Sequence, residues 1–257
     1  METNKTLIAY YTVVRKDVVR IVRLWKQTFL PSVVTTVLYF IVFGSLIGSK
    51  LPPIHGVTYI MFIVPGLVMM QVIMNAYSNT SSALFMAKFQ RNLEEMLVSP
   101  MPEWVIIAGY VTAGIVRGSI TGVLVLGVGL FFTHLTLHSI PIIMAAFVLT
   151  CVLFSLGGFL NAMFAESFDS ISIIPTFVLT PMTFLGGVFY SIQQFPPFWQ
   201  TVSLANPVLY MVNVFRYGFL GTSDVNIWLA FGVLIGLIAL FIILILRLFK
   251  RGVGLKT

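Results

Sequence analysis

Acidic residues are scarce in this chain, and none of them interrupts its long apolar runs. Asp and Glu together number eight. The uncharged runs cover residues 27–49, 51–87, 118–165, 170–215 and 225–246. About 20 apolar residues in a helix cross the hydrocarbon core of a bilayer once, so these runs predict a polytopic membrane protein. A proton-driven carrier usually needs a carboxylate buried within its spans. Because none lies there, the energy source must be sought elsewhere.

Charged residues as a whole are rare, which excludes a large soluble domain. They make up 9% of the chain, against roughly 25% in soluble domains. Residues 1–257 are therefore predicted to form one membrane domain. The net charge of +7 is attributed to basic anchors on cytoplasmic segments and not to nucleic-acid binding. The single cysteine, Cys151, excludes an intramolecular disulfide.

Sequence signatures of catalysis are also missing. The chain contains no Gly-Lys dipeptide, so it cannot carry the phosphate-binding P-loop of an ATPase. No recognisable grouping of Ser, His and Asp occurs, and the chain is predicted not to be an enzyme. His134 and His138 stand four residues apart without a nearby Cys or carboxylate, and His55 is the only further histidine. No metal site is therefore predicted.

Six membrane-spanning helices are predicted, at about residues 28–49, 57–82, 103–133, 139–165, 171–190 and 225–247. Lys and Arg set their orientation, because these residues favour cytoplasmic segments. With both termini in the cytoplasm, twelve basic residues fall on inner segments and only Lys50 and Arg216 on outer ones. The expected fold class is all-α integral membrane, with both termini cytoplasmic.

Residues 1–27 precede the first span and predict an amphipathic helix at the membrane interface. Lys16, Arg20 and Arg23 recur at helical spacing, while apolar side chains cover much of the remaining surface. Such a helix usually lies in the plane of the interface. It serves either as a simple anchor or as a contact for a cytoplasmic partner.

The inner loop between spans two and three, residues 86–102, is longer than a connection needs and predicts a short helix outside the membrane. Its apolar face is formed by Phe89, Leu93, Met96 and Leu97. Its polar face is formed by Lys88, Arg91, Glu94 and Glu95. Two prolines, Pro100 and Pro102, end it. An apolar face outside the membrane indicates either docking of another protein or a passive surface helix.

The outer segment 191–224 is too long for a turn, and prolines interrupt it too often for a span. It contains Pro196, Pro197, Asn206, Pro207 and Arg216. Each proline can begin a helix, and Asn206 is placed to cap the second one. Because the apolar run before Arg216 is too short to cross, a re-entrant hairpin or a pair of interfacial helices is predicted.

Span five contains Pro175 and Pro181, and each of them removes a helical hydrogen bond and can kink the helix. Thr176, Thr180 and Thr183 are candidates to bond the freed carbonyls. The kinks indicate either a packing solution or a gate.

Span three carries a glycine stripe, Gly114, Gly118 and Gly122, which favours close helix approach within the subunit or between subunits. Arg117 lies beside this stripe. A charge within a span faces protein or a water-filled cavity, so Arg117 is either functional or a structural residue bonded to neighbouring helices.

Together these features resemble the ABC-2 type transporter permease family. The most telling pattern is Leu179-x-Pro181-x-x-x-Leu185-Gly186-Gly187-x-Phe189-Tyr190, followed by Pro196-Pro197, Asn206-Pro207 and Arg216. The phrase Lys88-Phe-Gln-Arg-Asn-x-Glu94-Glu95-x-Leu97-x-x-Pro100 is similar to the family's coupling segment. The likeness runs essentially from end to end.

The resemblance implies an exporter subunit of the bacterial cytoplasmic (inner) membrane that pairs with a second copy of itself and with two copies of a separate ATPase. ATP and Mg²⁺ would bind in that ATPase, and its closure would push on the inner helix. A cavity between the two membrane subunits would then switch from inward to outward access. Membrane lipid is a further expected partner, and nucleic acid is not. The implied coupling residues are Lys88, Phe89, Arg91, Leu93, Glu94, Glu95 and Met96.

Spans two and five line the transport path in that family. Here they offer Met69, Met70, Gln71, Asn75, Phe177, Thr180 and Phe184, and Arg117 is added to them. This mostly apolar lining suits a lipid-like or amphipathic substrate. Two other classes stay open from the residues alone: an ion-coupled carrier or channel, with Na⁺ held by carbonyls at broken helices, and a membrane assembly protein that transports nothing.

Overall fold

The computed structural model of the protein describes residues 2–54, 56–252 and 254. Within those residues the chain is helical, and a lone antiparallel bridge between Ile54 and Val57 is its only β-pairing. The α-helices are α1 (Glu2–Arg23), α2 (Trp25–Tyr39), α3 (Tyr59–Phe89), α4 (Asn92–Val98), α5 (Glu103–Phe132), α6 (Ile140–Phe164), α7 (Phe168–Ile174), α8 (Thr180–Leu185), α9 (Pro197–Leu204), α10 (Pro207–Leu220) and α11 (Ile227–Lys250). Two π-helical segments, Phe40–Ile47 and Pro175–Leu179, extend α2 and join α7 to α8, and short 3₁₀ turns occupy Gly48–Lys50 and Ile192–Gln194. His55 lies outside the described residues, as does Lys256, one of the twelve basic residues on the inner segments.

The six predicted spans are confirmed by helices that are long and apolar enough to cross a membrane. Spans one to six are Trp25–Gly44, Tyr59–Phe89, Glu103–Phe132, Ile140–Phe164, Phe168–Leu185 and Ile227–Lys250. The largest difference from prediction is at the end of span two, which continues to Phe89 instead of stopping near residue 82. Residues 83–89 contain no glycine or proline that would end the helix. Leu84 and Phe85 pack into the protein core, so the helix continues to Phe89.

Span two is the central helix of the bundle. It packs against α5, α6 and α10, and 83% of its most apolar window is buried. Close approach of α6 depends on Gly158, because a Cβ there would collide with the backbone carbonyl oxygen of Tyr77. The glycine stripe of span three serves the same purpose, since Gly114 and Gly118 face Ser155 and Cys151 of α6. Those two glycines therefore pack within the subunit.

Span five is interrupted where Pro175 lacks a backbone N–H. A regular helix would bond that N–H to the carbonyl of Ile171. The side-chain Nδ2 of Asn161, on α6, donates to this carbonyl at 3.0 Å. Nearby threonines were expected to supply such donors, but Thr180 donates to the Pro175 carbonyl instead, at 2.9 Å. Asn161 thus repairs the broken helix and joins span five to span four.

An even number of spans returns the chain to the side on which it began. We call this side, which carries α1, α4 and the end of α11, the termini side. The links from span two to span three and from span four to span five also lie there. The opposite side carries the segment 186–226, with helices α9 and α10.

Candidate coupling surface and polar sites

The predicted inner helix is two pieces joined by a sharp turn. Lys88 and Phe89 form the last turn of α3, and the separate helix α4 covers only Asn92–Val98. Between them Arg91 adopts a left-handed conformation with φ of 60°, the one positive φ among the described non-glycine residues. An L-residue pays about 1–2 kcal/mol for that conformation. The expectation of one continuous helix was therefore wrong, and the junction is held by its surroundings.

Lys88 does not lie on a polar outer face, contrary to the prediction. Its side chain is 8% exposed, and its Nζ donates to the carbonyl oxygens of Met163 at 3.0 Å and Ala165 at 3.3 Å. These carbonyls are at the end of α6, where the last turn lacks helical partners. Lys88 thus ties the end of span two to the end of span four.

Leu93 also faces the protein interior and not a partner. It is 1% exposed and belongs to an apolar cluster with Ile106 and Met163. Met96 is half-buried against the same cluster. The predicted common outward face of Phe89, Leu93 and Met96 is therefore wrong, because α4 folds back and covers the end of the bundle with its apolar side.

The outward surface of this region consists of Phe89, Arg91, Glu94, Glu95 and Val98, and we call it the docking edge. All five side chains are exposed. Phe89 is 62% exposed and Val98 88% exposed, so two apolar groups flank three charged ones. Val98 was not among the residues predicted from the sequence, although its spacing from Arg91, Glu94 and Glu95 places it on the same side of a helix.

Phe89 has a second contact that the sequence did not predict. Its ring and that of Phe85 lie edge-on to the ring of Phe168, with centroids 5.4 Å and 4.9 Å away. Phe168 is the first residue of α7 and therefore begins span five. The docking edge is thus in direct contact with the start of span five. No local signal marks this contact, since Phe168 is 79 residues further along the chain than Phe89.

The predicted path residues do not come together within one protomer. Met69, Met70, Gln71 and Asn75 are buried, and the two methionines belong to the central apolar core. Phe177 is 73% exposed on span five, and Phe184 lies on the same uncovered helix. Thr180 is half-buried and bonds its own helix. Residues of span two that pack in a core do not line an open path in this conformation.

Arg117 is held by a buried amide that links three spans. Its Nε donates to Oδ1 of Asn75 at 3.1 Å. The Nδ2 of Asn75 donates to Oγ of Ser32 in span one at 3.0 Å and to the carbonyl of Gln71 at 3.0 Å. This arrangement supports the structural interpretation of Arg117, although its partner is a side chain and not a row of carbonyls.

The amphipathic arm also makes a polar contact with span two, one turn nearer the termini side. Arg20 donates through Nη2 to Oδ1 of Asn79 at 3.2 Å, and its Nε lies 3.6 Å from the buried carboxylate of Asp17. Burial raises the pKa of Asp17, and the charge of Arg20 opposes that rise. Val13 and Ile21 flank Asp17 on the buried side of α1. The arm is therefore packed against the bundle and does not lie free at the interface.

Comparison with known proteins identifies this assembly of helices. The sequence model of the ABC-2 type transporter family matches residues 8–220. The chain belongs to the ABC-2 type transporter family. The resemblance inferred from the coupling phrase and the Leu-Gly-Gly pattern is thus confirmed. The protein is a membrane transport permease of this family, with multiple transmembrane helices.

Named relatives support the assignment over nearly the whole chain. The permease is 52% identical over 250 residues to the inner membrane transport permease YadH of Escherichia coli (strain K12), covering 97% of this chain and 98% of YadH. It is 27% identical over 219 residues to nodulation protein J of Rhizobium leguminosarum bv. viciae, covering 82% of this chain and 83% of that protein. A relative of the same name in Rhizobium meliloti (strain 1021) is 26% identical over 219 residues.

The segment that follows span five in the permease is organised around Arg216. This side chain is 1% exposed, and its guanidinium carbon lies 3.7 Å from the ring centroid of Phe62. Its Nη2 donates to the carbonyl of Gly187 at 2.6 Å, and its Nε donates to that of Phe62 at 3.3 Å. The buried cation therefore joins α10 both to the start of span two and to the glycine pair of the family pattern.

The helix boundaries of this segment follow the prediction. Asn206 caps α10, with its Oδ1 accepting from the N–H of Val208 at 3.0 Å, and Pro207 is in the first turn. Pro197 likewise begins α9, and Pro196 precedes it. Neither helix reaches the length of a span, and most side chains of α10 are buried, as a non-spanning helix at depth requires.

Spans two and five of the permease do meet, but around residues other than the predicted path residues. A cavity of about 250 Å³ lies between them and is lined by Ser78, Ser81, Ser82, Phe168, Ile171, Ser172 and Pro175. Serines at α3 positions 78, 81 and 82 share one side of the helix, so their spacing could have indicated a polar face toward span five. This cavity is close to the termini side, directly behind the docking edge.

Proposed function

We propose that this permease is the membrane subunit of an ABC exporter in the bacterial inner membrane, where two copies work with two copies of a separate ATPase. The docking edge carries the proposal. Phe89 and Val98 are apolar and exposed, and the charged side chains of Arg91, Glu94 and Glu95 lie between them. Exposed apolar anchors beside charged groups are typical of a protein contact.

The termini side is proposed to face the cytoplasm, where ATP is available. Lys and Arg are concentrated on the segments of that side, as the positive-inside tendency requires. The chain has no P-loop of its own, so ATP and Mg²⁺ are expected to bind in the partner. The membrane subunit would receive the motion of the ATPase and hydrolyse nothing itself.

Two contacts behind the docking edge support transmission of that motion. The ring of Phe89 rests against Phe168 at the start of span five. The ammonium of Lys88, one residue earlier, bonds the end of span four. A push on the docking edge therefore reaches spans four and five directly, without passing through the buried core of span two.

The second copy is proposed to cover spans one and five. Both are mostly uncovered, with 28% and 11% of their apolar windows buried. Their mean hydropathies, 1.5 and 1.4, are the lowest of the six spans. Span five exposes the hydroxyl of Thr176, and a hydroxyl placed in hydrocarbon without a hydrogen bond costs free energy. A protein partner and a substrate path between the two copies would accommodate it.

The test is co-purification of the permease with its cognate ATPase, together with the ATPase activity of the complex. Phe89→Ala is expected to release the ATPase, because the loss of an apolar anchor costs about 2 kcal/mol or more, close to thirtyfold in affinity. Glu94→Lys should also release it, because it reverses a charge at the contact. Val98→Asp should act in the same direction. Leu93→Ala is unsuitable, because it would damage the core of the permease.

Phe131→Ala provides the control, since Phe131 is an exposed phenylalanine (91%, against 62% for Phe89) that lies at the end of span three away from the termini side. It should leave both co-purification and ATPase activity unchanged. If the docking-edge variants match the wild type in both measurements, this edge is only a surface feature and the proposed coupling is wrong.

A further inference from the structure

A cavity separates span five from span six on the lipid-exposed side of the permease. α11 packs against α6 and α10, and beside this packing a space of about 380 Å³ opens between α11 and span five. Its walls are formed by Leu153, Phe154, Gly157, Leu160, Asn161 and Phe164 of α6, with Tyr77, Ile174, Leu179, Met182, Pro207, Leu237 and Phe241 around them. All but Tyr77 and Asn161 are apolar, and the Nδ2 of Asn161 already bonds span five.

The position and height of this cavity match one leaflet of a bilayer. Its residues on α6 run from Leu153 to Phe164, the last residue of that helix on the termini side. Eleven residues of helix correspond to about 16 Å, roughly half of the ~30 Å hydrocarbon core. The uncovered surface of span six borders the cavity through Leu237 and Phe241, so the cavity is continuous with the lipid-facing surface of the protein. An acyl chain of the termini-side leaflet fits this space in depth, length and polarity.

A second cavity, of about 410 Å³, begins where the first one ends. Phe164 lines both, and the second is otherwise lined by Phe85, Lys88, Phe89, Met163, Ala165, Glu166 and Gly254. Charged groups of both signs are therefore present at the level where a lipid headgroup would lie. The apolar and the charged cavity together have the amphipathic character of a phospholipid.

The two charged side chains are suited to a zwitterionic headgroup. The Lys88 ammonium has three N–H donors, of which the carbonyls of Met163 and Ala165 accept two, so one is left for a phosphate oxygen. The Glu166 side chain is exposed, and its carboxylate can accept hydrogen bonds from a primary amine. A headgroup that is only anionic would be repelled by Glu166, and a quaternary amine could not donate to it.

We propose that the two cavities bind one phospholipid with an amine-bearing zwitterionic headgroup of the phosphoethanolamine type. Its acyl chain lies between spans five and six, its phosphate contacts Lys88, and its amine contacts Glu166. The headgroup cavity shares Phe89 with the docking edge, but lipid binding is measured on the permease without the ATPase, so either proposal can fail without the other.

Photo-crosslinking of the purified permease in lipid nanodiscs tests the acyl-chain part. The probe is a phosphatidylethanolamine with a diazirine on one acyl chain, and labelled peptides are located by mass spectrometry. We expect labelling concentrated on residues 153–164 and 237–241. Gly157→Leu should reduce it about tenfold, the change that corresponds to 1.4 kcal/mol. A Cβ at Gly157 would lie 3.6 Å from Phe241 and Tyr77, an ordinary van der Waals contact, and the remaining atoms of a leucine would occupy the cavity.

Gly127→Leu is the control, because a Cβ at Gly127 of span three has no atom within 4 Å. It should leave the labelling unchanged. Labelling spread evenly over the outer surfaces of spans five and six, and unaffected by Gly157→Leu, would mean that only bulk lipid surrounds the protein. That result overturns the proposal.

The headgroup part is tested with phosphatidylcholine and phosphatidylglycerol probes that carry the same acyl chain. Phosphatidylethanolamine should label the cavity severalfold more than either. Glu166→Ala removes the acceptor and should remove the preference over phosphatidylcholine while labelling of the cavity persists, and because Glu166 is exposed the variant should fold. Equal labelling by all three probes in the wild type would overturn the assignment of the headgroup.

Discussion

Spans five and six are both largely uncovered in the protomer, but their exposed surfaces differ in composition. Only 11% of the apolar window of span five and 17% of that of span six are buried. Their mean hydropathies are 1.4 and 3.2. Span six exposes apolar side chains such as Leu240 and Ile243, whereas span five exposes Ser172 and Thr176 next to Phe177. Exposure alone therefore does not identify the environment of a span, and the composition of its exposed surface is needed.

The two spans also differ in backbone regularity. α11 runs from Ile227 to Lys250 without interruption, while span five passes through the π-helical segment Pro175–Leu179. π-helical turns are frequent at functional sites. Lipid contact requires nothing from span six beyond an apolar surface, whereas span five has a repaired break and a contact with the docking edge. We expect span six to face lipid and span five to face a partner and to move.

The largest expected effect comes from placing a charge on each exposed surface. Leu240→Arg should strongly reduce the membrane-integrated fraction after alkaline extraction, because an Arg near the centre of a lipid-facing helix costs about 2.5–3.5 kcal/mol. Thr176→Arg, at a similar distance from the termini side, should integrate more fully and instead impair pairing of the subunits. Equal loss of integration in both variants would show that span five also faces lipid.

Cysteine crosslinking separates the two surfaces more directly. In a Cys151→Ser background, Phe177→Cys should give a disulfide-linked dimer in native membranes, whereas Ile243→Cys should stay monomeric. Both side chains are exposed in the protomer, so a difference between them reports the partner and not accessibility. A dimer obtained only through Ile243→Cys would place the subunit contact on span six.

The repaired break in span five can be tested by a double-mutant cycle. Asn161→Leu removes the donor to the Ile171 carbonyl and should lower the free energy of unfolding by about 1 kcal/mol, a typical value for such a bond between spans. Pro175→Ala supplies a backbone N–H and should recover part of that loss. Thermal unfolding in detergent measures the stability of the wild type, the two single variants and the double variant. Strictly additive effects would mean that the two groups do not serve the same carbonyl.

The smallest expected effect is a gain of stability in span six. Gly236→Ala should stabilise the helix by up to about 1 kcal/mol, because a Cβ there has no atom within 4 Å. The crosslinking pattern of Phe177→Cys should stay the same. Gly232 and Gly236 have the spacing of a helix–helix seam, so a loss of dimer in Gly236→Ala would move the subunit contact to span six.

Sequence patterns predicted the features that depend on neighbouring residues. Long apolar runs gave the six spans, since one residue type repeated over about 20 positions is enough to cross a bilayer. The cap of α10 followed from Asn206 and Pro207 alone, because such a cap acts within one helical turn. The coupling phrase located the docking edge, although it mixed outward and inward residues. Arg91, Glu94 and Glu95 are exposed there as expected, whereas Lys88 and Leu93 are not.

The tertiary structure decided which way each polar side chain turns. Lys88 bonds carbonyls at the end of span four, 75 and 77 residues away along the chain, and Arg216 contacts Phe62, 154 residues away. No local pattern encodes such distances, because a buried polar group takes whichever partner the packed helices bring within reach. The sequence by itself determined a six-span permease of the ABC-2 family with basic termini. Only the packing of span two against its neighbours determined which of its residues are buried in the core and which are exposed at the docking edge. The packing of the helices likewise determined where a space remains between spans five and six.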